Sequence, residues 1–404
     1  MVSSTAKCPE WLAERIVTAG GSISFAQYMD LVLNDPEHGA YSSGNLIIGK
    51  EGDFVTSPSL GSDFAYLLAV QLVGWLDQLE LENVNNLPLS IIEVGPGEGD
   101  LAFELIRAIT EINPSTISKI EFVLVEINDA MILRQKERLR SISSIPVRWM
   151  SLDDLKDYPK VGVILAHEVL DVFPVERIVV RNKKLLRQGV TIKEKDSGLI
   201  LSFIDMPLPK LLEDSLVETF NSIDIEFPPS DALDGWSSEF HSGLDLWLEK
   251  ASKSLESGCL LIIDYALEAS RYYSSSKDFG TIMSYKKQSA SLNVLHEPGF
   301  RDITSHLCIE TVIFYAEKNK WNYLGEVRQG QALLALGLAE RLHSLRNLPS
   351  QDLAIALNRR ESLLRLVDPA GLGEFRWLAF RINNNYTESR PKMALSTRFL
   401  LPPN

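Results

Sequence analysis

Cysteine is scarce in this 404-residue chain, with only Cys8, Cys259 and Cys308. Three scattered thiols cannot build a disulfide framework or a metal cluster. Long apolar runs are missing too: nothing approaches the ~20 residues that a membrane-spanning helix needs. The opening residues, MVSSTAKCPEWLAERI, have neither a basic start before an apolar core nor an Arg-rich stretch. Neither a secretory nor an organelle signal is therefore expected, and the expected compartment is the reducing cytoplasm. Basic residues are in deficit, 40 Lys and Arg against 54 Asp and Glu, giving a formal charge of −14. Such a surface repels phosphate backbones, so nucleic acid is not an expected partner, whereas a cationic substrate would be attracted. The six histidines show no ligand spacing, and no metal site is expected.

What remains is an ordinary globular balance, 45% hydrophobic and 23% charged. Short apolar runs alternate with helical patterns. Strands are expected at residues 89–94, 121–126, 146–150, 161–166, 259–264 and 375–380, and helices at 63–79, 100–112, 129–139, 241–256 and 329–345. This rhythm predicts a parallel α/β sheet covered on both faces, a Rossmann-like arrangement. Residues 1–80 are expected to form a helical region, with a Gly- and Pro-rich loop at 35–62. Residues 81–174 would form the first part of the sheet domain. Residues 175–240, a hairpin followed by an acidic, proline-punctuated stretch, read as an α+β insertion, and 241–404 as the remainder.

The most informative segment is Glu93-Val94-Gly95-Pro96-Gly97-Glu98-Gly99-Asp100, a strand end, a glycine turn and a helix start. Gly95, Gly97 and Gly99 let the backbone turn sharply and approach a ligand without Cβ atoms in the way. A dinucleotide fingerprint would place the third glycine one residue later, and Glu98 would repel a pyrophosphate. S-adenosylmethionine (SAM) has no phosphate and a positive sulfonium, so it tolerates acids here, and Glu93 can accept hydrogen bonds around its methionine moiety. Glu126, ending the next strand, stands where an acid bonds ribose hydroxyls in nucleotide-binding sheets. Asp153 and Asp154 either meet the adenine or cap a helix at Leu155.

The fourth strand delivers His167-Glu168-Val169-Leu170-Asp171 to the carboxyl edge, where open α/β sheets bind ligands. Glu168 and Asp171 could hold a guanidinium and orient one of its nitrogens, or they could simply sit at a helix start. His167 is either a general base or a hydrogen-bonded wall. His306 lines a substrate channel or satisfies a buried polar group.

Taken together, the motifs resemble the MidA-like methyltransferase family. The resemblance is carried by Pro36-x-x-Gly39-x-Tyr41, Gly52-Asp53-Phe54-x-Thr56-Ser57-Pro58, the glycine loop, Leu124-Val125-Glu126, Arg134-Gln135 and Glu168-x-Leu170-Asp171. It continues through Asp264-Tyr265, Asp302-Ile303-Thr304-x-His306 and Gln329-Gly330. It implies a class I SAM-dependent methyltransferase fold and a protein arginine as acceptor, with a respiratory complex I-like subunit as target. It also implies a cofactor site made of Glu93, Gly95, Pro96, Gly97, Gly99, Glu126 and Asp153, covered by Thr56, Ser57 and Pro58. Glu168, Asp171 and His167 would be the catalytic set. A small-molecule methyltransferase and a SAM-binding assembly factor with little catalysis stay as alternatives, and self-association into a homodimer is left open. Ser59, Glu98, Asp100, His167 and Ala266 depart from the family's usual residues.

Overall fold

A computed structural model describes residues 5–46, 49, 52–53, 55–83, 87–196, 198–384 and 395–402; Phe54 of the loop motif lies outside them. The chain opens with β1 (Thr5–Lys7), α1 (Glu10–Thr18), β2 (Ser22–Ser24), α2 (Phe25–Asn34) and α3 (Ser62–Glu82). An alternating stretch follows: β3 (Leu89–Val94), α4 (Asp100–Ile112), α5 (Pro114–Ile117), β4 (Ile120–Val125), α6 (Asp129–Arg138), β5 (Val147–Trp149), α7 (Leu152–Asp157) and β6 (Lys160–His167). Next come β7 (Glu176–Arg181), β8 (Lys184–Lys195), β9 (Gly198–Met206), α8 (Lys210–Ser222) and β10 (Ser237–Phe240). The chain then forms α9 (Leu244–Lys253), β11 (Leu255–Asp264), β12 (Ala266–Leu267), α10 (Ala269–Tyr272), β13 (Met283–Lys286), β14 (Ser289–Ser291), β15 (Asp302–Thr304) and β16 (Leu307–Cys308). It finishes with α11 (Ile309–Lys318), β17 (Asn322–Arg328), α12 (Gln329–Ala335), α13 (Leu338–Ser344), α14 (Leu353–Leu366) and β18 (Arg376–Asn383).

The main sheet has the order β17-β18-β11-β6-β3-β4-β5. Its strands are parallel from β11 to β5, as the buried runs predict. The wholly parallel expectation is corrected at one edge, where β18 runs antiparallel to both β11 and β17. Alternation along each central strand feeds two cores. Leu89, Ile91, Val163, Leu165, Leu261 and Ile263 face α3, α4, α12 and α14. Ile92, Val94, Ile164, Ala166, Leu260 and Ile262 face α7, α8, α9 and α11. Each such aliphatic side chain stabilises the fold by roughly 1.5–3 kcal/mol on burial.

A second, antiparallel sheet has the order β1-β9-β8-β7-β10, with β2 paired to β8. Strands from residues 5–24 and from 176–240 thus share one sheet. Helices α1 and α2 pack on it through Leu12, Ile16, Phe25, Met29 and Val32. No helix among the described residues is long and apolar enough to cross a membrane.

Several boundaries differ from the sequence reading. The expected helix 329–345 is two helices, because Gly337 takes a left-handed φ of 110° between them. The stretch after the hairpin holds α8, whose Leu212, Leu216 and Phe220 give it a buried face despite the flanking prolines. The helix expected at 241–256 covers only α9, and its last residues already belong to β11.

The centre of the main sheet leaves no room at Gly162, where an added Cβ would lie 1.9 Å from the Ser90 carbonyl oxygen. Gly162→Ala should therefore cost about 3 kcal/mol, the upper end for overpacking, measured by urea denaturation. Unchanged stability would contradict this packing.

Candidate functional site

Strands β3 and β6 run side by side in parallel, pairing Glu93 with Leu165 and Val94 with Ala166. Their carboxyl ends therefore release the glycine loop and the acidic turn next to each other. Gly95, Gly97 and Gly99 have φ of 62°, 52° and 85°, the left-handed region that disfavours side chains. A Cβ on Gly95 would meet Val169 Cγ2 at 2.4 Å, so the two turns touch only because this residue is glycine. Gly99 is the N-cap of α4.

Beyond this contact opens a cleft of about 490 Å³, within the range of small-molecule sites. Glu93, Gly95, Pro96, Gly97, Glu126, Asp153, Thr56, Pro58, His167 and Glu168 all line it. Three expected residues do not. Gly99 shapes the helix start, Asp171 is buried behind the wall, and Ser57 reaches the site through its backbone. The backbone N–H of Ser57 donates to Glu168 Oε1 at 3.2 Å.

Two rim acids are held by their neighbours. Glu126 Oε1 accepts the backbone N–H groups of Ile127 and Asn128 at 2.8 and 3.0 Å. Its Oε2 accepts from Gln135 Nε2 at 3.0 Å, and the same nitrogen donates to Gly97 O at 2.8 Å. Gln135 thus ties the second strand's acid to the glycine loop. Its two-residue motif gave no hint of that, since the link needs the fold. The fixed carboxylate keeps free lone pairs for a pair of sugar hydroxyls. Asp153 pairs with Lys250 Nζ at 2.7 Å, and that hydrogen bond lowers its pKa. Asp154 takes the other role offered by the sequence: with Ser151 it forms a capping box on α7.

The intrusive loop acids are neutralised from α6. Arg134 Nη1 lies 3.0 Å from Glu98 Oε1, and Arg138 Nε 2.5 Å from Asp100 Oδ1. Glu93 has no such help. It is buried, its Oε2 has no hydrogen-bond partner among the described residues, and burial, with Asp100 nearby, pushes it up to about 8. An acid in that state at a ligand cleft suits a cationic group and opposes a phosphate.

The acidic turn is stranger. Glu168 adopts a left-handed φ of 50°. Asp264, at the end of β11, secures the turn by accepting the backbone N–H groups of Leu170 at 3.0 Å and Asp171 at 3.3 Å. The β13–β15 pairing sets Tyr285 opposite Asp302, and Asp302 accepts from the Tyr41 hydroxyl at 2.9 Å. Glu168, Asp171, Asp264 and Asp302 feel one another's charge, and among the described residues none pairs with Lys or Arg. Burial raises all four: Glu168 and Asp171 well above the usual carboxylate range, Asp264 to about 7 and Asp302 to about 6. Asp171 Oδ1 has no hydrogen-bond partner among the described residues. His167 packs against Phe64, and burial lowers its imidazole to about 3, so it is neutral at physiological pH and a weak base. Its Nε2 is 3.4 Å from Glu168 Oε1 but makes no hydrogen bond. His306 is likewise lowered by burial to about 4, and packs edge-on to Tyr265. The parts of this cluster supplied by Asp264, Asp302 and Tyr41 stood in recognised motifs, but nothing in the sequence said that they converge.

A family of S-adenosyl-L-methionine-dependent methyltransferases matches residues 67–327, more than half of the chain. The chain belongs to this family. This methyltransferase is also similar to curated relatives. It is 24% identical to the human mitochondrial protein arginine methyltransferase NDUFAF7, over 93% of this chain and 86% of that protein. It is 24% identical to the Drosophila melanogaster homolog of that enzyme, over 90% and 82%. A crystal structure from Burkholderia thailandensis bound to S-adenosyl-homocysteine aligns with a TM-score of 0.77 at 26% identity, covering 93% of this chain and 92% of that one. The methyltransferase is thus a SAM-dependent enzyme on a Rossmann-like α/β fold.

The residues of the cleft fit that cofactor: a glycine turn free of side chains, an unpartnered buried acid and a braced Glu126. Because a positive ligand favours the Glu93 carboxylate, binding must release the proton that Glu93 holds below about pH 8. SAM affinity is expected to rise between pH 6 and about pH 8 and then level off, and Glu93→Gln is expected to flatten that rise. Calorimetry across this range checks it. A native affinity independent of pH would remove Glu93 from the cofactor site.

Proposed function

We propose that this methyltransferase modifies an arginine side chain of a protein. One observation supports the reading above the others. Asp171, Asp264 and Asp302 lie buried beside the cleft, with Glu168 between them and it, and among the described residues none of the four pairs with Lys or Arg. Uncompensated buried carboxylates are costly, and a cation that enters them relieves the cost. A guanidinium suits this environment: it stays charged, it is planar, and its donors match carboxylates in pairs. The names of the curated relatives support the same acceptor.

The cofactor, when bound, supplies an electrophilic methyl group on a positive sulfur. Glu93, Gly95, Pro96, Gly97, Glu126 and Asp153 would hold it, with Thr56 and Pro58 covering it and Gly99 shaping the helix start beside them. The remaining work falls to the acidic turn. Glu168, at the boundary between cleft and cluster, accepts hydrogen bonds from the guanidinium and aims one nitrogen. Asp171, behind it, adds negative charge that keeps the guanidinium in place. When that nitrogen gains its methyl it must lose a proton, and Glu168, held well above the usual carboxylate range by burial, can take it. His167 forms a neutral wall beside this carboxylate. Holding the reactants at attack distance accounts for most of the acceleration in such a site.

A subunit of a respiratory complex I-like assembly is the first acceptor to test, because the motif resemblance points there. The three cysteines are buried and unpaired, which supports a reducing compartment such as the cytoplasm.

Transfer of a tritiated methyl from SAM into cell lysate, with products sized on a gel and hydrolysed to amino acids, tests the acceptor. Label in methylarginine supports the proposal; label confined to small molecules contradicts it. Glu168→Gln should keep SAM affinity within about three-fold and lower turnover by about 100-fold, the scale of a lost proton acceptor. Unchanged turnover in a single-turnover assay would take Glu168 out of the mechanism.

A further inference from the structure

Far from the cofactor loop in sequence, Gln329 opens α12 and is completely buried within the apolar core that contains Leu333, Leu366, Phe375 and Trp377. A primary amide in such surroundings costs free energy unless every polar atom finds a partner. Here they do. Nε2 donates to the Leu366 carbonyl at the end of α14 at 3.1 Å and to Ser57 Oγ at 3.1 Å. Oε1 accepts from Trp377 Nε1 on β18 at 3.3 Å. The Gln329 backbone N–H donates to the Phe375 carbonyl at 2.8 Å. Helix α14 and strand β18 therefore fix this amide, and the amide holds the Ser57 hydroxyl, which is itself fully buried.

What Ser57 does with that anchorage is the telling part. Its backbone N–H is the donor to Glu168 Oε1. Glu168 has a left-handed backbone at the rim of the cleft, and among the described residues this is its hydrogen bond from the covering loop. A methionine of similar length would fill the same space but would release Ser57 Oγ, the Leu366 carbonyl and the Trp377 N–H from this amide. Of these three contacts, the one to Ser57 is the one that leads on to Glu168.

We propose that Gln329 is a positioning residue for the reaction, holding Ser57 so that its N–H orients the Glu168 carboxylate toward the acceptor. The proposal rests on the reading of Glu168 given above. Gln329 touches neither the cleft nor any reacting atom, and it acts through Ser57 alone. The donated hydrogen bond favours the charged form of Glu168, so losing it would raise the pH at which the carboxylate becomes available.

The test compares Gln329→Met, Ser57→Ala and Glu168→Gln in labelled methyl transfer from SAM into lysate protein, with SAM concentration and pH both varied. Gln329→Met is expected to lower kcat by about 10-fold and move the acidic limb of its pH profile upward, while KM for SAM changes by less than about three-fold. Ser57→Ala keeps the backbone donor but frees it from the amide, and should shift both quantities in the same direction by less. If Glu168→Gln abolishes turnover while both other variants keep the native kcat and pH limb, the positioning role is wrong and the Glu168 reading stands. If Glu168→Gln is fully active, the parent reading falls instead. Should Gln329→Met not fold, Ser57→Ala decides: an unmoved kcat and pH limb overturns the proposal.

Discussion

Two backbone turns that touch at Gly95 and Val169 organise the site. They touch because β3 and β6 pair in parallel and end together, so the loop after one strand and the turn after the other must share the same space. Only a residue without a side chain, at a φ of 62°, lets them do so. From that contact the glycine loop turns one way, toward Glu126 and the cofactor cleft. The acidic turn goes the other way, into the cluster of carboxylates. The glycine loop and the acidic turn are thereby held together at one edge of the sheet.

The electrostatics divide along the same line. Acids on the cofactor side that stand in the loop are paired by arginines of α6, and Glu126 is braced by backbone donors and Gln135. Acids at the acidic turn have no Lys or Arg partner among the described residues. Burial pushes them toward the neutral form, and the charges of Asp264 and Asp302 raise Glu168 and Asp171 further. This arrangement is unfavourable for the ligand-free fold above the acids' ordinary titration range. Under the proposed function, a positive visitor would be the missing partner. The β13–β15 hairpin takes part by placing Asp302 against Tyr41, so an element outside the nucleotide-binding sheet completes the acidic chamber.

Much of this was legible in the residues. The buried runs 89–94, 121–126, 161–166 and 259–264 announced the sheet because strands covered on both faces must be apolar on both. The glycine spacing and the strand-end acids announced the edge where the cleft opens because local chemistry is written locally. Long-range convergence was not legible. Asp264 bonds the Glu168–Asp171 turn, Gln135 joins Glu126 to Gly97, and Gln329 reaches Ser57; each link joins segments far apart in the chain. Helix α14 escaped notice for a different reason: Leu353, Ile355 and Leu357 are exposed, so its apolar residues do not form one stripe. The break at Gly337 was hidden because glycine is tolerated inside a helical pattern as readily as it ends one.

The most direct test of the account is a crystal structure of the protein with S-adenosyl-homocysteine and an arginine-containing peptide. The account predicts the nucleoside between the glycine loop and Glu126, and the guanidinium among Glu168, Asp171, Asp264 and Asp302. A nucleoside bound away from that loop, or an acidic chamber that stays closed to the guanidinium while the peptide binds elsewhere, would contradict it.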